Sequence, residues 1–176
     1  MVRRIVTGHD DKGNPIIVSD GIPAVSSTSA HIPGSGRDLI WSTAYPAGPS
    51  IDPTPALTSV VPGPGQTVGL VISFPPDTAY TSPGIDFAAV GAETADTLPG
   101  LAELFEADDP GAHQTPTVDY AVVLSGSVVL DLGGGRRTEV LPGDIVVQNG
   151  TRHAWRNPGT EAASVFFVLV GSERTV

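Results

Sequence analysis

Short apolar runs separated by glycine, proline and asparagine dominate the second half of the chain. Thr117–Leu124, Ser127–Leu132, Arg137–Val140, Asp144–Gln148, His153–Arg156 and Ala163–Val170 are rich in β-branched and aromatic residues. Between them stand Ser125-Gly126, Gly133-Gly134-Gly135, Leu141-Pro142-Gly143, Asn149-Gly150 and Asn157-Pro158-Gly159. Runs of this length between such turn formers predict six strands. Upstream, Gln66–Phe74 is apolar on both alternating faces and reads as a buried strand. Arg3–Thr7 and Pro15–Ser19 flank a segment containing Asp10, Asp11, Gly13 and Asn14, which predicts a hairpin. Leu98–Glu106, with Leu101, Leu104 and Phe105 on one face, is the one segment with helical spacing.

Residues 21–65 are dense in Pro, Ser, Thr and Gly, broken by Trp41–Ala44, and predict little regular structure. A loop of that length does not float free of a compact domain. It is expected to wrap the strands or cross to a second copy of the chain. The expected organisation is therefore one domain: an N-terminal hairpin and extended arm over 1–65, packed on an all-β barrel or jelly roll over 66–176.

Composition narrows the function. With 40% hydrophobic and 16% charged residues the 176-residue chain can bury a core. A formal charge of -10 and no Lys/Arg run argue against nucleic acid and against anionic membranes. The absence of cysteine removes disulfides, zinc–thiolate sites and thiol nucleophiles. Arg3 and Arg4 are followed by no apolar h-region, so no signal peptide is expected and the cytoplasm is the default location.

Two motifs carry the chemistry. His113-x-Thr115-x3-Asp119 is followed after six residues by Gly126, and Gly143 leads through Gln148 and Gly150-x2-His153 to Asn157. Together these resemble the paired motifs of the cupin superfamily, G-x5-H-x-H-x3,4-E-x6-G and G-x5-P-x-G-x2-H-x3-N. Thr115 stands where the second histidine belongs, Asp119 replaces glutamate, and Gln148 replaces proline in a stretch one residue short. The likeness covers residues 66–172, and the opening Arg3–Asp10 extends it. It looks like a group of small single-domain bacterial cupins, to which fungal polyketide-pathway cupins look related. The resemblance implies a double-stranded β-helix with a site inside the barrel. It also implies a divalent metal (Fe, Mn, Zn or Ni) on His113, Asp119 and His153, one ligand short of the usual four. The chemistry it supports is decarboxylation, dehydration or dioxygenation of a small oxygenated or aromatic compound.

Strand periodicity agrees with the motif. Residues 113, 115, 117 and 119 share one face of a regular strand, and 153 and 155 share another. If both faces line the interior, two imidazoles and a carboxylate converge, with Thr115, Thr117, Tyr120, Gln148 and Trp155 as candidate substrate contacts. Such a set can hold a metal facially. It can equally form a metal-free polar network around an organic ligand, or a His153–Asp119 base and orienter. Trp155 and Tyr120 read as packing residues as readily as substrate platforms. His9 and His31 read as surface residues and Arg136-Arg137 as a solvated turn. Two functions stay open, a small-molecule enzyme with His153 and Asp119 catalytic, and a metal-free binding module. A homodimer is expected from the hairpin and arm, as symmetric dimers are the commonest soluble assembly.

Overall fold

The structure is a computed structural model that describes residues 1–44, 46, 48 and 51–173. In chain order the strands are β1 (Arg4–His9), β2 (Pro15–Gly21), β3 (Ser26–Thr28), β4 (Gly36–Thr43) and β5 (Thr67–Phe74). Helix α1 (Phe87–Thr97) follows, then β6 (Thr117–Ser125), β7 (Val128–Asp131), β8 (Arg137–Val140), β9 (Ile145–Asn149), β10 (Ala154–Arg156) and β11 (Ala163–Gly171). Six strands form one sheet in the order β3-β4-β5-β11-β6-β9, three form a second in the order β10-β7-β8, and β1-β2 pair alone. All pairings are antiparallel. One hydrophobic cluster draws on both larger sheets, with Leu70, Val123 and Val165 from the first and Val128 and Val140 from the second. The architecture is a jelly roll whose sheets share a core without closing into one hydrogen-bonded barrel.

Strand β11 shows why these residues choose strand. Ala163, Val165, Phe167, Leu169 and Gly171 are buried on one face, while the residues between them are half-buried. A central strand is covered on both sides, so it reads as a continuous apolar run. Val165 is fully shielded from water, and burying one such side chain contributes roughly 1.5–3 kcal/mol. Gly171 is required by close approach, since a Cβ there would lie 1.9 Å from Gly63 O. Gly126 turns the chain from β6 to β7 with φ 68°, and a Cβ there would lie 2.8 Å from Ala163.

Two expectations are corrected. The helix lies at Phe87–Thr97, ahead of the expected Leu98–Glu106, where the structure has a single 3-10 turn, Ala102–Leu104. Asp86 starts α1 by accepting from Ala88 N and Ala89 N, both at 3.0 Å. Pro99 stops it, because the residue before proline is driven out of the helical region. Leu98 and Leu101 still pack into the core, as their apolar spacing required. The arm is also more regular than expected, since β4 is an interior strand bonded to β3 and β5. Arg37 and Asp38 interrupt its apolar alternation, and the register shifts between Leu39 and Trp41. No helix among the described residues is long and apolar enough to cross a membrane.

Candidate active site

The sheets and α1 enclose a cavity of about 840 Å³ lined mainly by apolar side chains. Its polar end is built on a backbone bridge. His113 N donates to His153 O (3.0 Å) and His153 N donates to His113 O (2.9 Å), joining the approaches to β6 and β10. That bridge brings the two imidazoles together with ring centroids 4.4 Å apart and planes tilted by 54°. His113 Nδ1 lies 3.0 Å from Gly111 O, and His153 Nδ1 lies 3.0 Å from Thr151 O. A carbonyl accepts only, so the hydrogen-bond network assigns the proton to Nδ1 and leaves the Nε2 lone pairs free. Burial and the neighbouring His113 push the His153 pKa down to about 4, and burial lowers that of His113. Both rings are neutral at pH 7.

Asp119 lines the same cavity from β6, only 6% exposed. Burial raises its pKa to about 6, partly offset by a hydrogen bond from the Thr117 hydroxyl. Its Oδ1 is buried without a partner. Thr115 and Thr117, both buried, share a hydroxyl–hydroxyl hydrogen bond of 2.7 Å. Trp155 meets His153 edge-on at 6.3 Å and packs against Phe167 at 5.5 Å and Phe74 at 6.5 Å. Phe105 covers the outer face of His113 at 5.3 Å.

The remaining sequence candidates divide by position. Thr115 and Trp155 line the cavity. Gln148 is buried and donates to Thr151 O (2.7 Å) and Thr151 Oγ1 (2.6 Å), so it shapes the turn that presents His153. Asn157 is likewise structural, donating to Phe74 O and Glu161 O. Tyr120 follows Asp119 on the opposite strand face and is 53% exposed, outside the cavity. Phe74, Phe105 and Arg37 line the cavity without having been singled out in the sequence. So do Glu106 and Arg156, part of a charged cluster that pins the segment before His113. Arg152 donates to Glu106 (2.7 and 2.6 Å) and Asp109 (2.7 Å), and Arg156 to Asp109 and Pro110 O. Only the acidic Glu106, Asp108 and Asp109 in one segment and the basic Arg152 and Arg156 in the other hinted at that cluster.

The fit to a metal is partial. Nδ1 anchored on a carbonyl with Nε2 free is the arrangement that orients histidine ligands. Among the described residues, however, no group of three or more His, Asp or Glu side chains is placed to hold an ion. Neither Asp119 nor the imidazole pair figures among the causes of the other's shifted pKa. The residues form a two-nitrogen seat with a carboxyl elsewhere on the same wall.

The site is thus a polar group at one end of a mainly apolar cavity in a two-sheet jelly roll. Residues 103–169 match the family model Cupin_2, described as a cupin domain. That segment is a cupin domain. It is 36% identical over 69 residues to the oryzines biosynthesis cluster protein J of Aspergillus oryzae (39% of this chain, 38% of that protein). It is 37% identical over 78 residues to the phomopsin biosynthesis cluster protein C' of Diaporthe leptostromiformis (44% and 38%). A cupin-domain-containing oxidoreductase of Aspergillus ruber, fogC, is 38% identical over 61 residues (33% and 30%). The matched segments thus span under two-fifths of these relatives' own lengths. Among solved structures, a cupin 2 conserved barrel protein from Salinispora arenicola matches at 15% identity and TM-score 0.40 over 77% of this chain and 75% of that one. A Klebsiella pneumoniae protein with a double-stranded β-helix domain matches at 16% identity and TM-score 0.45 over 85% of each.

Proposed function

We propose that this chain is a small-molecule enzyme that transfers protons on a small oxygenated, largely apolar compound, in decarboxylation, dehydration or related chemistry. The observation that carries this reading is Asp119. A buried carboxyl with an unpartnered oxygen and a pKa of about 6 lies in a cavity with two neutral imidazoles. Near pH 7 it is mostly ionised, yet it binds a proton more tightly than an ordinary aspartate, which suits a general base. Asp119 Oδ1 would take a proton from the substrate while the Thr117 hydroxyl holds the carboxyl in place. The Nε2 atoms of His113 and His153 accept hydrogen bonds from substrate hydroxyls, and the Trp155–Phe167–Phe74 wall excludes water. Relatives from biosynthesis clusters, and those named oxidoreductases, support an enzyme over a passive binder.

A divalent ion would be held by Nε2 of His113 and His153, which the anchored Nδ1 atoms favour. When bound, it would supply Lewis-acid polarisation of a substrate oxygen. A two-ligand seat is weaker than a four-ligand one, so wild type should retain a measurable amount of metal through dialysis but less than one equivalent. The test is a panel of small aromatic and β-oxo carboxylates incubated with the protein in D2O, read by mass spectrometry for deuterium uptake or product. Wild type should catalyse one or both, and Asp119→Asn should lower the rate by about 100-fold or more, the usual scale of acid–base catalysis. No turnover by wild type, or full activity in Asp119→Asn, would overturn the reading. In parallel, protein is incubated with Mn, Fe, Zn or Ni salts, dialysed and assayed for metal. Retention in wild type that is lost in His153→Ala would support the metal seat, and a wild type empty of all four would remove it.

A further inference from the structure

The charges on the cavity wall are unequally engaged. Asp77 accepts from Asn157 N (2.9 Å), Glu106 is held by Arg152, and Arg156 is held by Asp109 and Pro110 O. Arg37 is different. It extends from β4 to the cavity, and among the described residues its side chain makes one hydrogen bond, donated by Nη1 to Thr97 Oγ1 at the end of α1. It makes no ion pair among the described residues. Its Nε–H is buried with no acceptor. Glu93 contributes a favourable field, but its carboxylate is bound by Ser29 Oγ and Ala30 N. Burial works against the Arg37 charge, and a guanidinium does not deprotonate to escape that cost. An incoming anion would relieve it.

The geometry of the free edge indicates which anion. With Nη1 engaged, the Nε/Nη2 edge of Arg37 has no protein acceptor. Through that same edge this chain already grips carboxylates, Asp20 on Arg3 (2.6 and 2.7 Å) and Glu106 on Arg152. The planar guanidinium fork matches a carboxylate with two parallel hydrogen bonds. The rest of the ligand would meet Leu70, Phe74, Trp155 and Phe167, an apolar and largely aromatic wall.

We propose that Arg37 is the recognition point for a substrate carboxylate, and that the cavity takes a small aromatic or otherwise apolar carboxylic acid. This rests on the reading of the cavity as the substrate site. Arg37 holds the acid group and the aromatic wall holds the body. The two groups of the wall with an unpartnered buried atom, Arg37 at Nε and Asp119 at Oδ1, then have separate tasks, Arg37 binding and Asp119 proton transfer.

The test compares 2-naphthoate with its uncharged isostere 2-naphthamide by isothermal titration calorimetry at pH 7.5. Hydrogen bonds to charged groups predict a preference of wild type for the carboxylate of about 10-fold or more. Arg37→Met should abolish that preference while keeping the affinity for 2-naphthamide, which also reports that the cavity is intact. Arg37→Lys should keep part of the preference. If Arg37→Met unfolds by circular dichroism, Arg37→Gln replaces it. Equal affinity for the two ligands in wild type, no binding at millimolar concentration, or a preference that survives loss of the guanidinium would overturn the proposal. Because the assay reads binding alone, it can fail while Asp119-dependent turnover persists, and it can succeed where turnover is absent.

Discussion

Asp119 and His153 are each buried on the cavity wall, and they respond to acid with opposite sign. The folded-state pKa of Asp119 is raised from 3.8 to about 6. Its contribution is therefore present below pH 4 and is lost as pH rises through 6, because the native state keeps a proton that the unfolded chain releases. His153 is depressed from 6.5 to about 4, so its contribution is present above pH 6.5 and is lost as pH falls through 4. At 1.36 kcal/mol per unit, each amounts to about 3 kcal/mol. Across pH 4–6 the two slopes oppose one another, so in wild type they nearly cancel. Substitution should unmask them. Relative to wild type, Asp119→Asn should gain about 3 kcal/mol of stability between pH 4 and 7. Over the same interval His153→Gln should lose about 3 kcal/mol relative to wild type. Neither group perturbs the other, so the double variant should follow the sum. Urea unfolding at pH 4, 5, 6 and 7 measures all four proteins, and differences cancel the exposed carboxylates common to them. A stability difference for Asp119→Asn that is flat across this range would refute the argument, since it would mean the carboxyl is hydrated or paired.

Two further outcomes follow from the packing. Gly126→Ala should destabilise the fold by about 2–4 kcal/mol, because it combines a left-handed φ with a Cβ 2.8 Å from Ala163. Thermal unfolding checks it, and a loss under 0.5 kcal/mol, the scale of an ordinary surface change, would contradict it. We also propose a homodimer in which a second copy covers the apolar surface of the hairpin, where Ile5, Ile17 and Val18 are more than half exposed. Light scattering should give twice 18.0 kDa, and Ile17→Lys with Val18→Glu should return the mass to that of one chain.

The hairpin and the strands from β5 onward were legible in the sequence because each is short, bounded by turn formers and alternates locally. Helix α1 was not, because Ala88, Ala89, Gly91 and Ala92 leave it little apolar stripe, while Leu98, Leu101 and Leu104 on either side of Pro99 imitate one. Strand β4 was hidden by Arg37 and Asp38, two charges whose tolerance in an interior strand depends on what lies on each face. Arg37 meets the cavity, and Asp38 accepts from Val2 N. Asp119 lies in β6, whereas His113 and His153 stand just ahead of β6 and β10, on an isolated bridge outside both strands. Motif spacing could not say how those strands approach one another.

That decision belonged to contacts between residues far apart in the chain. A backbone bridge across 40 positions, from 113 to 153, brings the two imidazoles together, tilted by 54°. Asp119 sits further along β6, paired with Gln148 and Leu169, and so occupies the same cavity without joining the histidines. The same alternation that turns Asp119 inward turns Tyr120 out. Local sequence determined which residues share a strand face, because side-chain direction repeats every two residues. Which face became interior, and which strands met across it, was settled only when two sheets closed over one core, because that choice depends on the apolar area each arrangement removes from water.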